Sequence, residues 1–247
     1  MKIRIVTVDF WGTLLFDGPG SDDRYRRVRV GDFERILSAA GHPVPRAVLE
    51  RAYEASGAWL ASVWRSHRDV PVQEHVAAIL RAADPALPSR LSAATLRALQ
   101  EAYGRPALAV PPTVDTGARA ALQALRGRGC ALAVVSNTMR TPGAVLRRLL
   151  AHYGLLECFA HTVFSDELGV RKPDPAIFHE ALRAVEGEPA TAVHVGDDPV
   201  LDVQGALAAG MRVIQVSSAA RPSPSGPHAV IRDLAALPAA VDGLDGG

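Results

Sequence analysis

Four polar groups stand directly after short apolar runs that read as buried strands. Asp9 follows the β-branched run 3–8, Ser136 and Asn137 follow 131–135, Asp166 follows 161–164, and Asp197 and Asp198 follow 191–195. A carboxylate so placed can act as a nucleophile, forming a covalent intermediate that divides one hard displacement into two easier ones. Opposed carboxylates such as Asp9 and Asp197 repel unless a cation lies between them, and oxygen ligands suit a hard ion such as Mg²⁺. Lys172 is notable for its rarity. Lys2 and Lys172 are the only lysines, although Lys and Arg together number 27. The chain uses Arg almost wherever a positive charge is wanted, and a planar guanidinium cannot replace a compact ammonium in a tight site. Asn137 is likewise the only asparagine.

The elements that must hold these groups alternate strand with helix. After the run 3–8, residues 16–20 form a turn-rich exit through Asp17, Gly18, Pro19 and Gly20. Helical spacing then fills 32–40, 46–66, 72–82 and 93–103 without a strand signal, and Ser92 is placed to cap the last of these. Alternation resumes beyond Pro111-Pro112. A helix over 116–126 leads into the strand 131–135, and Thr141 is placed to cap a helix with Pro142 at its first position. A strand at 161–164 precedes a helix opened by Asp174-Pro175. A strand at 191–195 precedes a helix running through Ala209, and 212–216 is a final strand. Residues 219–228 are a Pro/Ser/Gly-rich loop, and a weak helix follows Asp233. This order predicts an α/β fold with a doubly wound parallel sheet. Ligands in such folds bind beyond the carboxyl ends of the strands, which is where Asp9, Ser136, Asp166 and Asp197 stand. The expected division is a core of residues 1–15 and 107–247, with 16–106 as an inserted helical cap.

Composition narrows the function classes. At 247 residues with 48% hydrophobic side chains, the chain can bury a full core. The net charge of +1 and the scattered arginines argue against nucleic-acid binding. The first apolar run is too short to span a membrane, and two isolated cysteines, Cys130 and Cys158, make neither a disulfide framework nor a zinc site. The expected setting is the cytosol, with a small-molecule substrate as partner, no nucleic acid or membrane, and a monomer or homodimer.

The segments Asp9-Phe10-Trp11-Gly12-Thr13-Leu14, Val135-Ser136-Asn137, Lys172-Pro173-Asp174-Pro175 and Gly196-Asp197-Asp198 with Asp202 resemble, in this order, the motifs of the haloacid dehalogenase (HAD) superfamily of hydrolases. The resemblance covers the whole chain and implies a Rossmannoid core with a helical cap inserted after the first motif. It implies Asp9 as nucleophile and Lys172 as the charge that accompanies it. It implies Mg²⁺ held by Asp9, the backbone carbonyl of Trp11 and Asp197. Trp11, Gly12, Thr13, Ser136, Asn137 and Lys172 would surround the phosphoryl group, with Asp166, Asp198 and Asp202 in support.

One position departs from the pattern. Most phosphatases of the superfamily carry a second Asp two residues after the nucleophile, as general acid and then base; this chain has Trp11. A backbone carbonyl survives that replacement, but proton transfer worth roughly 10²–10⁴-fold does not. Three readings follow. The protein is a Mg²⁺-dependent phosphohydrolase with its acid supplied elsewhere, Asp17 being one substitute. Or it resembles 2-haloacid dehalogenases, which carry an aromatic residue there and release halide without a proton. Or it is a non-catalytic relative that binds a phosphorylated ligand or a partner. Among weaker candidates, Arg26, Arg27 and Arg29 stand near the cap entrance, Trp59 and Trp64 are expected in the core, His67 follows their helix, and His194 is expected to be a buried, satisfied imidazole.

Overall fold

The computed structural model describes residues 2–217 and 226–245. Eight strands are seen among the described residues: β1 (Ile5–Val8), β2 (Leu15–Phe16), β3 (Thr113–Val114), β4 (Ala131–Ser136), β5 (His161–Phe164), β6 (Ala192–Gly196), β7 (Arg212–Val216) and β8 (Ala229–Ile231). Six of them form one parallel sheet in the order β5-β4-β1-β6-β7-β8, and β2 pairs antiparallel with β3. The chain starts in the middle strand and builds outward to either side. That is the doubly wound arrangement, with its switch point at the carboxyl end of β1.

Strand β1 is buried along its whole length, as a central parallel strand covered on both faces must be. Val6 and Val8 face one apolar layer with Leu132, Val134, Val193 and Val195, whereas Ile5 faces the other with Ala133, Val135 and Ala192. The strand 212–216 is not the final one: a further parallel strand, β8, lies between the loop expected at 219–228 and the helix expected after Asp233. The loop expected at 219–228 falls largely on residues outside those described.

Six helices occupy the insert: α1 (Ser21–Ala39), α2 (Arg46–Arg65), α3 (Val72–Ala83), α4 (Leu87–Arg90), α5 (Ala93–Gly104) and α6 (Pro106–Ala109). None of their residues joins the six-stranded sheet, and Val30, Phe33, Leu37, Leu49, Val76, Ile79 and Leu99 make an apolar cluster of their own. The helix expected at 32–40 begins eleven residues earlier, at Ser21. Its buried stripe runs through Tyr25, Arg29, Asp32 and Phe33, and the two charged members hide the apolar period from a reading of hydrophobicity alone.

The remaining helices are α7 (Ala118–Gly127), α8 (Gly143–His152), α9 (Ser165–Leu168), α10 (Pro175–Ala184), α11 (Gly205–Ala208) and α12 (Leu237–Asp245). Thr141 does not cap α8. Pro142 stands at the cap position, and the Asp166 carboxylate accepts the Gly143 N–H instead. Asp174 caps α10 by accepting from Ala176 N at 2.9 Å. The helix expected to run to Ala209 is wider over Pro199–Gln204, with α11 following. No helix among the described residues is long and apolar enough to cross a membrane.

Candidate functional site

Register brings the site together. Val8, the last residue of β1, pairs with Val134 of β4 and Val195 of β6, so Asp9 leaves the sheet between the ends of those two strands. Its backbone N–H donates to Val195 O at 2.8 Å, which fixes the turn. Ser136 ends β4 on one side, and Asp197 follows β6 on the other.

A buried charge cluster lies at this point. Lys172 Nζ donates to Asp9 Oδ1 at 2.5 Å and to Asp202 Oδ1 at 2.6 Å. Lys172 is held there by its backbone: its N–H donates to Asn137 Oδ1 at 2.9 Å and its carbonyl accepts from Asn137 Nδ2 at 3.1 Å. The only asparagine thus uses both ends of its amide on the backbone of one of the two lysines. His194 lies on the same face of the sheet. Neutral, it donates from Nε2 to Asp202 Oδ1 at 2.9 Å, and Nδ1 accepts from the Thr7 hydroxyl at 2.8 Å. Burial pulls this imidazole below its usual pKa, in keeping with that neutral form.

Carboxylate oxygens of Asp9, Asp197 and Asp202 all lie within 4.8 Å of one another. They are not equivalent. Burial opposes ionisation of Asp202, but Lys172 and His194 outweigh it and hold the carboxyl well below the ordinary range. Burial, with Asp202 and Asp197 adding repulsion against the pull of Lys172, pushes Asp9 up to about 7. Burial and the Asp202 charge push Asp197 up to about 6. Burial alone would lower Lys172; Asp202 and Asp9 more than offset it, and its pKa rises. One carboxylate is therefore neutralised by the protein, while Asp9 and Asp197 are left under-compensated. Two hard oxygen donors short of positive charge are what a small divalent cation takes.

Gly12 makes room for this pair. Its φ is +75°, and a Cβ there would lie 2.5 Å from Asp197 Oδ2. Thr13 is fully buried beside it, and neither its hydroxyl nor the buried Trp11 Nε1 has a protein partner. Trp11 packs edge-on against Phe10 at 4.8 Å. The supporting aspartates separate into three roles. Asp202 contacts Lys172 and accepts from Asp198 N at 3.0 Å; Asp198 accepts from Val200 N and Leu201 N, both at 2.8 Å; Asp166 turns away to α8.

A cavity of about 600 Å³ opens between the sheet rim and the insert, reaching the rim at Trp11 and Gly12. Trp11, Gly12 and Arg140 line it from the rim, and Asp17, Tyr25 and Arg29 from the exit loop and α1. Arg26 also lines it, whereas Arg27 is exposed elsewhere. Trp59 and Trp64 are not in the core. Trp59 is half-buried beside a shallow surface recess, and Trp64 borders the cavity with its N–H donated to Asp69 at 3.0 Å.

Two sets of contacts tie insert to rim that sequence spacing does not reveal. Arg29 donates to Tyr103 O, Tyr53 Oη and Arg140 O at 2.8, 2.9 and 2.7 Å. Arg140 in turn donates to Ser56 Oγ at 2.9 Å and lies over the Tyr53 ring at 3.9 Å. On the other side, buried Asp69 accepts from Ser165 Oγ at 2.5 Å and pairs with Arg171 at 3.2 Å. Arg171 also lies over the Trp64 ring at 4.4 Å, and its N–H donates to the carbonyl of His67, whose side chain is exposed. Only the position of Arg171, next to Lys172, could have drawn notice.

The chain is similar to several known proteins. A family model for haloacid dehalogenase-like hydrolases matches residues 3–210. Phosphoserine phosphatase of Thermus thermophilus is 31% identical over 241 residues, covering 89% of this chain and 91% of that protein. Human haloacid dehalogenase-like hydrolase domain-containing protein 3 is 40% identical over 140 residues; the match spans 53% of this chain and about half, 52%, of that relative. Among solved structures, a 2-haloacid dehalogenase from Pseudomonas syringae pv. Tomato DC3000 superimposes with a TM-score of 0.72 at 25% identity, covering 98% of this chain and 99% of that chain.

Proposed function

The chain belongs to the haloacid dehalogenase-like hydrolases, and from that premise we propose that it is a phosphohydrolase acting on a small phosphomonoester through a phosphoryl-aspartate at Asp9. The observation that carries this reading is the second, under-compensated carboxylate, Asp197, beside Asp9. Displacement of halide from a 2-haloacid needs one carboxylate nucleophile and no cation. A phosphoryl dianion approaching Asp9 needs added positive charge, and a pair of hard oxygen donors is the means of holding it. The phosphatase relatives support the same choice.

In this reading Asp9, Asp197 and the backbone carbonyl of Trp11 would hold Mg²⁺. The ion would supply charge neutralisation for the phosphoryl oxygens. Asp9 attacks phosphorus in line with the leaving oxygen, and the ester P–O bond breaks. Lys172 keeps Asp9 oriented, since its ammonium contacts Oδ1 from a site fixed by Asn137 and Asp202. Ser136, Gly12 and Thr13 surround the phosphoryl oxygens. Residues 16–106 serve as the cap that shapes the substrate cavity, and the surroundings are those of a cytoplasmic enzyme of small metabolites.

A second reading, hydrolysis of 2-haloacids, draws on Trp11 in place of an acid and on the likeness to the Pseudomonas enzyme. Assay of phosphorylated metabolites and 2-haloacids, with Mg²⁺ and with chelator, separates the two. Phosphate release that requires Mg²⁺ is the expected result. Metal-independent halide release without phosphate release would put the second reading first.

A further inference from the structure

The structure leaves the proton of the leaving group without a donor at position 11, yet brings a carboxyl, Asp17, onto the cavity that position 11 lines. An indole cannot serve as the acid, and Trp11 Nε1 is shut off from solvent. The chain then folds back tightly: Gly12 N donates to Leu15 O at 2.9 Å and Trp11 bridges Leu15. Pairing of β2 with β3 holds the exit of this turn, so that Asp17 emerges on the cavity that Trp11 and Gly12 also line.

The contacts of Asp17 bear on its position. Tyr25 Oη lies 3.1 Å from Asp17 Oδ1 and 3.2 Å from Val110 O. Tyr25, itself buried, thereby anchors the exposed Asp17 carboxyl at the mouth of the cavity. We infer that Asp17 is the proton donor to the leaving oxygen, taking the part that the residue at position 11 cannot. The inference rests on the phosphohydrolase reading above.

The remaining charged groups around the cavity are otherwise engaged. Asp23 and Glu54 are both ion-paired to Arg26 at 3.1 Å. Asp22 and Asp23 stand in the first turn of α1, where the helix dipole favours a carboxylate. Around Asp17 itself, burial and the Asp22 charge raise the pKa, while the Tyr25 contact, Arg24 and Arg29 oppose them; burial prevails.

The step balances. As Asp9 Oδ forms its bond to phosphorus, the bond from phosphorus to the ester oxygen breaks and that oxygen takes the Asp17 proton, leaving as an alcohol. Water attacks the phosphoryl-aspartate and gives its proton to solvent, from which the exposed Asp17 carboxylate is reprotonated. Phosphate departs, Asp9 is regenerated as a carboxylate, and Asp17 is again protonated.

The test compares Asp17→Asn with wild type on glycerol phosphate, whose leaving group is alkoxide-like, and on p-nitrophenyl phosphate, whose leaving group needs little protonation. The expected loss in kcat is roughly 10²-fold or more on the alkyl ester and much smaller on the aryl ester, with the melting temperature of the variant as the folding control. Adding Trp11→Asp to Asp17→Asn should recover alkyl ester turnover. Equal losses on the two esters, or none, would overturn the role of Asp17 while leaving the phosphohydrolase reading intact. If wild type hydrolyses neither ester, that reading falls and the inference with it.

Discussion

Gly12 and Asp197 occupy space that only a glycine leaves free. A Cβ at Gly12 would lie 2.5 Å from Asp197 Oδ2 and 2.7 Å from its Cγ, and the backbone there has φ of +75°. Gly12→Ala would therefore meet two obstacles, a left-handed conformation worth about 1–2 kcal/mol and a carboxylate forced out of place. The proposed cation site should suffer more than the fold. Calorimetric titration with Mg²⁺ in the presence of orthophosphate should show affinity at least about tenfold weaker. Unchanged affinity in a folded Gly12→Ala protein would separate Asp197 from the metal.

The pair formed by Asp69 and Arg171 joins the insert to the sheet rim, with the two residues 5% exposed each. Asp69→Ala leaves the Arg171 guanidinium buried without its carboxylate and strands Ser165 Oγ and Trp64 Nε1. Breaking one side of a buried pair is expected to lower the unfolding free energy by about 3–5 kcal/mol. Replacing Arg171 by Met in the same protein should recover part of that loss, because the lone charge is gone. Denaturant unfolding measures both, and a loss below about 1 kcal/mol for Asp69→Ala would mean that the junction is loose in solution.

Asp166 gives a pH-dependent stability. Burial is the main cause that raises it from 3.8 to about 6; Glu167 and Asp69 add to it, and the Gly143 N–H and Thr138 oppose it. An acid whose folded pKa is raised stabilises the fold fully below its unfolded pKa, and that contribution is lost as pH rises through the folded value. The wild type should thus lose about 2–3 kcal/mol relative to Asp166→Asn as pH rises from 3.8 to beyond 6. Asn can still accept from Gly143, so the cap of α8 is retained. Parallel pH profiles of unfolding free energy for the two proteins would contradict the assignment.

The rim was legible in the sequence because it depends on short, local signals. Each of Asp9, Ser136 and Asp197 follows a run of Val, Ile and Ala, and the parallel register at Val8, Val134 and Val195 aligns the ends of those runs. The rarity of Lys172 pointed to a site that Arg cannot fill, and its contacts with Asp9 and Asp202 supply the geometry. Other parts were hidden for physical reasons. Asp69 meets Arg171 across 102 positions, and nothing local to either residue records the other. Arg29 and Asp32 sit on the buried face of α1, so the start of that helix could not be read from apolar spacing. Trp64 is large and lies on a helix, which predicts core packing, whereas its indole serves as a shelf for Arg171 and a donor to Asp69.

The central claim is that the Asp9 carboxylate carries the phosphoryl group. Rapid acid quench during turnover of a radiolabelled phosphomonoester, followed by peptide mass analysis, tests it directly. The account predicts a phosphoryl adduct on the peptide containing Asp9, sensitive to hydroxylamine as acyl phosphates are, and its absence together with turnover in Asp9→Asn, because an amide is a far poorer nucleophile. Phosphate release that continues in Asp9→Asn, or an adduct found on any other residue, would contradict it.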